Sequence, residues 1–256
     1  MTVYPPNSKI IKAIVLTHDR SRTITDHMIA RYDMLWPEHP FLFYIPYQKL
    51  CPTPTSGRIY VQTPVDIKPT ILMLLENLDD DEWIYWCIDD KYLIYLDLNF
   101  VKKITNWVHT LADTEISGIL FCRCRRLLEK DFLTEKKLLD DNGNVYLERK
   151  GYHQIWIHQF VRVKVLRYLF DRFPDRIPQA KTMDTIKNKV VKPNSHRLFV
   201  AKNNHAVFGE STVKGTLTKN CYESIVRNRM SLPEWHSAPS EHEIIMGQID
   251  SMEVNI

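Results

Sequence analysis

The stretch that decides the fold is Trp83-Ile84-Tyr85-Trp86-Cys87-Ile88-Asp89-Asp90. Six apolar or aromatic residues stand between two acidic stops, Asp79-Asp80-Asp81 and Asp89-Asp90. A run this short, apolar throughout rather than alternating, reads as a strand buried on both faces of a parallel sheet. Two adjacent carboxylates at the end of such a strand are costly unless something positive compensates them. A divalent cation does so, because Mg²⁺ and Mn²⁺ prefer oxygen ligands. These ions usually take one or two protein carboxylates and complete their shell with phosphate and water. An isolated Asp-Asp is more often a helix cap or a solvated turn. Its place after a buried strand favours a metal here.

Outward from this strand the first half alternates strands and helices. Lys12 to Thr17 is a strand built on the apolar run Ala13 to Leu16, followed by the polar loop His18 to Arg22. Ile24, Met28, Tyr32, Leu35 and Trp36 give a helix over about 23–36 one apolar face. Phe41 to Tyr44 and Arg58 to Gln62 are further strands, and Ile71, Leu74, Leu75 and Leu78 mark a helix that has Pro69 in its first turn. Asp97 is placed to cap a helix carrying Leu98, Val101, Thr105, Val108 and Leu111, and Ile116 to Cys122 is another strand. This β-α-β-α order predicts an α/β fold with a mostly parallel central sheet and helices on both faces. Ligands in such sheets bind at the carboxyl ends of the strands, where Thr17 to Arg20 and Asp89-Asp90 both stand.

The second half reads differently. Asp141-Asn142-Gly143-Asn144 is a turn between two strands, and Gln159 to Phe173 an amphipathic helix. Pro174, Pro178 and Pro193 punctuate an irregular stretch. Arg197 to Lys202 and His205 to Phe208 form two strands around Asn203-Asn204, and Lys219 to Met230 is the last helix.

The 256 residues suit one large α/β domain with a small C-terminal extension, able to bury a core without disulfides or structural metal. The five cysteines are an odd, scattered set, which fits reduced thiols. Cys122 and Cys124 lack the spacing of a zinc pair. A net charge of +3 is too weak to argue for nucleic acid. The start, MTVYPPNSK, has no signal-peptide pattern, and no apolar run approaches the roughly 18 residues that cross a bilayer, so the expected place is the cytoplasm. No GxxxxGK[ST] loop is present and no GxGxxG follows the first strand, which sets aside P-loop and dinucleotide sites.

Asp66 to Trp107 reads D-x-K-P-T-x-L-x-x-x-L-E-x-L, then W-I-Y-W-C-I-D-D-K-Y-L, then D-x-x-x-V-x-x-I. This resembles a group of bacterial GT-A glycosyltransferases whose strand ends in Asp-Asp-aromatic. His158 to Leu166 resembles that group's segment after the sheet, with Phe160 or Trp156 in place of a fixed Trp. Val213-Lys214-Gly215 resembles its Lys-Gly or Arg-Gly step. The likeness spans roughly residues 10 to 220.

The resemblance implies a GT-A fold. Residues 1–125 would bind the nucleotide sugar and 126–256 would form the acceptor and catalytic half of the same domain. The activity implied is hexosyl transfer from a nucleotide-diphosphate donor, by default a UDP-sugar. The acceptor would be a glycan, a lipid-linked or a small molecule. Asp89 would face the ribose and Asp90 would bind Mn²⁺ or Mg²⁺. Thr17, His18, Arg20 and Asp66 would flank the base, and Lys214 would neutralise the leaving diphosphate. Lys91 stands where many relatives have a third acid or an aromatic. The general base would be Asp184, where relatives place an acid, or Glu210. His205 is a candidate extra metal ligand.

Two other readings compete. A metal-dependent nuclease or phosphoesterase would also use Asp89 and Asp90, with Glu135-Lys136 as partner acid and base. A binding protein would hold the nucleotide sugar without catalysis. The helix around Arg162, Lys164, Arg167 and Arg172 could also touch an anionic membrane, although a core-packed helix with a solvated basic side is the commoner arrangement.

Overall fold

Alternate residues of the two central strands feed two separate cores. In β1 (Ile11–Leu16), Ala13 and Val15 pack into one buried cluster and Ile14 and Leu16 into another. A strand's side chains alternate between faces, so both faces of this one are covered. The computed structural model describes residues 10–122, 130–176 and 180–247.

After β1 come α1 (Arg22–Leu35), β2 (Phe41–Tyr47), β3 (Arg58–Gln62), α2 (Ile67–Leu75), β4 (Trp83–Ile88) and β5 (Lys91–Leu96). Next are α3 (Leu98–Thr110), β6 (Ile116–Leu120), β7 (Leu133–Leu139), β8 (Val145–Arg149), β9 (Gln159–Arg162), α4 (Val163–Asp171) and α5 (Ala180–Lys189). The chain closes with β10 (Arg197–Ala201), β11 (Ala206–Glu210), β12 (Thr212–Val213), β13 (Thr216–Leu217), α6 (Lys219–Arg227) and β14 (Ile245–Met246).

Nine strands form the central sheet, in the order β3-β2-β1-β4-β9-β6-β10-β8-β7. β3, β2, β1 and β4 run parallel, as do β6 and β10. β9 lies antiparallel between β4 and β6, and β8 lies antiparallel between β10 and β7. Only β9 and β8 therefore oppose the common direction, and the sheet is mostly parallel in sense. Helices α1 and α3 cover one face; α2, α4 and α5 cover the other. A smaller sheet, β14-β11-β5, lies beside α1, and a third cluster of Ile24, Tyr92, Leu217, Cys221 and Ile225 sits under α6.

Several expectations are corrected. Gln159 to Arg162 is not the start of a helix but a strand, buried along its length, and the helix occupies only α4. Glu135 and Lys136, the acid and base of the nuclease reading, lie on the edge strand β7. The Pro-punctuated stretch contains α5; Pro178 itself, like Cys124, lies outside the described residues. The strands around Asn203-Asn204 exist but do not pair: β10 joins the large sheet and β11 the small one. The strand β5 was not anticipated. The turn at 141–144 does join two paired strands, with Asp140 accepting the backbone N–H groups of Asn142 and Asn144. Among the described residues no helix is long and apolar enough to cross a membrane.

Candidate functional site at the carboxyl ends of β1 and β4

Register brings the two predicted loops together. Leu16 of β1 lies opposite Ile88 of β4, so the residues that follow them, Thr17 and Asp89, emerge side by side. The Asp89 N–H donates to the Leu16 carbonyl at 3.2 Å. The Thr17 hydroxyl donates to Asp89 Oδ2 at 2.7 Å and lies 2.6 Å from the hydroxyl of buried Thr25 on α1. Burial, and next the charge of Asp90, push the Asp89 carboxyl up to about 7; the hydroxyls of Thr17 and Ser21, and Lys91, oppose this. The first loop is itself anchored by Asp19, which accepts the backbone N–H groups of Gln48, Lys49 and Leu50.

Asp90 is held differently. Its carbonyl accepts the Ser211 N–H at 2.6 Å, and its Oδ2 lies 3.0 Å from Lys91 Nζ. Its other oxygen, Oδ1, is buried and makes no hydrogen bond. Lys91 opens β5 directly opposite Glu210 of β11, and its Nζ donates to Glu210 Oε2 at 2.6 Å. Burial works against the ammonium of this 6%-exposed lysine, but Asp90 and Glu210 outweigh it and hold the charge firmly. Burial likewise raises the Glu210 carboxyl, against the pull of Lys91.

A cleft of about 240 Å³ opens over these groups, lined among others by His18, Arg20, Asp89, Asp90, Gly215 and Trp235. Gly215 reaches it from the β12–β13 hairpin. The two turn residues, Lys214 and Gly215, both have positive φ (52° and 78°). Two-residue hairpins of this kind require such dihedrals, which accounts for the Lys-Gly step. Trp235 enters from the segment after α6. Its indole N–H donates to the Arg20 carbonyl at 2.9 Å, and the Arg20 guanidinium lies over its ring at 5.5 Å. Burial, then the Arg20 charge, lower the His18 imidazole.

Of the residues singled out by sequence, Thr17, His18, Arg20, Asp89 and Asp90 therefore meet in one place. Glu210 joins them through Lys91, and Lys214 is an exposed turn residue at the cleft's edge. Asp66 is exposed at the head of α2 and is not among the cleft's lining residues. Asp184, on α5, accepts the Trp156 indole N–H at 2.7 Å and lies 2.8 Å from Lys187, outside the lining of the cleft. His205 precedes β11, roughly 16 Å of strand from Glu210. It stacks on Phe100 with ring centroids 3.3 Å apart and bonds Asp97 Oδ2 at 3.0 Å, so the fold does not bring it to Asp90. Glu135 and Lys136 lie on β7, five strand positions from β4, on the order of 20 Å away. Among the described residues no group of three or more His, Cys, Asp or Glu side chains is arranged to hold a metal. Lys91 and Trp235 were not assigned roles from sequence. The only hint was an aromatic in an otherwise polar, Pro-bearing segment.

The chain matches no protein-family model and no curated protein. Among solved structures it resembles the galactosyltransferase LgtC in complex with donor and acceptor sugar analogs. The identity is 8% and the TM-score 0.38, over 84% of this chain and 78% of that one. It also resembles the Francisella tularensis 2-C-methyl-D-erythritol 4-phosphate cytidylyltransferase (8%, TM-score 0.41, 86% and 99%). A third is TarS of S. aureus (11%, TM-score 0.43, 77% and 36%). These likenesses are too remote to transfer an activity, and the functional reading rests on the cleft itself.

Proposed function

We propose that this protein is a GT-A-type glycosyltransferase whose cleft takes a nucleotide-diphosphate sugar together with a divalent ion on Asp90. The observation that carries this reading is the unpartnered, buried Oδ1 of Asp90 beside the carboxyl ends of β1 and β4. A buried carboxylate oxygen without a partner is costly, and a hard cation would satisfy it. Charge balance agrees. Asp90 and Glu210 already share the ammonium of Lys91, so a diphosphate beside them needs further positive charge to enter. A bound Mg²⁺ or Mn²⁺ would supply charge neutralisation of the departing diphosphate.

The chain's own residues do the rest. Asp89, held by Thr17, accepts from a ribose hydroxyl. Arg20 and His18 flank the nucleotide at one lip, and Lys214 offers a point charge at the other. Of the two candidate bases, Glu210 stands beside Asp90 and is raised by burial, the direction that suits a general base working near neutral pH. Both carboxylates have partners, Glu210 in Lys91 and Asp184 in Trp156 and Lys187, but only Glu210 stands next to Asp90. Glu210 is therefore the carboxylate assigned to the acceptor hydroxyl. UDP remains the default nucleotide.

The test is a thermal-shift series of nucleoside diphosphates with and without Mn²⁺. Ligand at 100 times its Kd stabilises by about 2.7 kcal/mol, which moves the Tm of a chain this size by roughly 5–10 °C. The expected result is a shift with UDP or GDP that needs Mn²⁺ and disappears in Asp90→Ala. A nucleotide shift that survives Asp90→Ala unchanged removes the metal from Asp90. No shift with any nucleotide sinks the donor site.

A further inference from the structure

Lys91 lies where a metal-binding cluster would want an open face. Its ammonium is 3.0 Å from Asp90 Oδ2 and 2.6 Å from Glu210 Oε2, and the side chain is buried. Its position is fixed by the backbone, because Lys91 and Glu210 are directly paired across β5 and β11. That pairing sets the two backbones side by side, and burial of the lysine stem keeps the ammonium between the two carboxylates.

We infer that Lys91 is the resident counter-ion of the Asp90–Glu210 carboxylate pair, and that it bars free divalent metal, so that the ion enters only as its complex with the nucleotide diphosphate. This rests on the donor-site reading above.

The argument is one of ligand supply. With Lys91 in place, Asp90 offers Oδ1 alone, and Glu210 has one oxygen committed to the ammonium. Asp89 Oδ2 is taken up by Thr17. Six-coordinate Mg²⁺ or Mn²⁺ gains little from the few carboxylate oxygens left beside an ammonium that repels it. The same ion already chelated by a diphosphate brings most of its shell with it and needs fewer of them. The phosphates then also gain from the Lys91 charge. Removing the ammonium should convert the cluster into an ordinary carboxylate site, since affinity for such ions follows the number of charged ligands.

The experiment is Mn²⁺ binding by electron paramagnetic resonance, with UDP or GDP present or absent, on the full chain and on Lys91→Met. The expected wild-type result is no bound Mn²⁺ without nucleotide and stoichiometric uptake with it. Lys91→Met should bind Mn²⁺ alone at least about tenfold more tightly than wild type. It should also gain a metal-only rise in melting temperature that wild type lacks. Lys91→Arg, which keeps the charge, should behave as wild type towards free metal.

Wild type that takes up Mn²⁺ as tightly without nucleotide as with it overturns the inference and leaves the donor reading intact. A folded Lys91→Met with no gain in metal-only binding does the same. If Lys91→Met does not fold, the wild-type comparison decides alone. Wild type that takes up Mn²⁺ under neither condition overturns both.

Discussion

At the scale of single residues, the end of β4 hangs on a buried imidazole. His158 is fully buried, and its Nε2 lies 2.8 Å from the carbonyl of Ile88, the residue before Asp89. Its Nδ1 lies 2.6 Å from the Tyr32 hydroxyl, itself 2.9 Å from that of Tyr85. The neutral ring suits both bonds, donating from Nε2 and accepting at Nδ1. Burial lowers its pKa to about 3, and burial also lowers His27 and His196 to about 4. The sign follows. The unfolded chain binds a proton at each ring below pH 6.5, while the folded chain does not until about 3 or 4. Stability is therefore complete above pH 6.5 and falls as the pH drops through this window. His158 alone should cost ~3 kcal/mol between pH 6.5 and pH 4. Urea unfolding across that range should show it. His158→Gln, although less stable at neutral pH, should lose about that much less on acidification. Parallel pH curves for the two proteins would sink the assignment.

At the scale of elements, the legible parts of the fold were those whose partners are local or whose pattern is unmixed. β4 is an uninterrupted apolar run and β1 is one from Ala13 to Leu16, and their register alone places Thr17 beside Asp89. β5 escaped because only Asp89-Asp90 separates it from β4, and because its partner β11 is more than a hundred residues away in sequence. Lys91 and Glu210 meet only through that pairing. In Gln159 to Phe173 the helical period of α4 ran back into β9, whose Phe160-Val161 pair and four buried residues mark a strand instead. β7 hid behind its charges, which suit the edge of a sheet. The segment after α6 carries the last wall of the cleft. Trp235 holds Arg20 through its indole N–H and its ring face, while Asp90, Lys91 and Glu210 form a separate ion-paired group. A nucleotide with its diphosphate at Asp90 would bring its base to Trp235 and Arg20. Stacking of a base on an aromatic contributes ~1–3 kcal/mol. Trp235→Ala should therefore weaken UDP or GDP binding ~5- to 150-fold by calorimetry while inorganic pyrophosphate with Mn²⁺ binds as before. Equal losses for both ligands would place Trp235 elsewhere in the mechanism.

At the scale of the molecule, the two halves cannot part. The strand that separates β4 from β6 is β9, and β6 meets β10 on its other side, so both neighbours of β6 come from beyond residue 126. Removing them leaves β4 with an open edge and β6 with no partner in the sheet, and unpaired buried backbone groups are not tolerated. The basic face of α4 also knits the halves together. Arg167 pairs with Asp80, and Lys164 lies 2.7 Å from Asp81. Arg162 donates to the carbonyls of Asp81, Leu111, Asp113 and Ile116. Lys164, Arg167 and Arg162 thus each find partners in the first half of the chain. The cleft and the ion pairs beside it are themselves shared, since Asp89 and Asp90 come from one half and Glu210, Gly215 and Trp235 from the other. The intact chain should therefore unfold in one calorimetric transition, with calorimetric and van't Hoff enthalpies in agreement. A fragment of residues 1–125 should show no cooperative transition and no nucleotide-dependent shift. Two resolved transitions, or a fragment that melts cooperatively and binds nucleotide, would mean that β9 and β10 are additions to a self-sufficient nucleotide-binding half rather than part of its core.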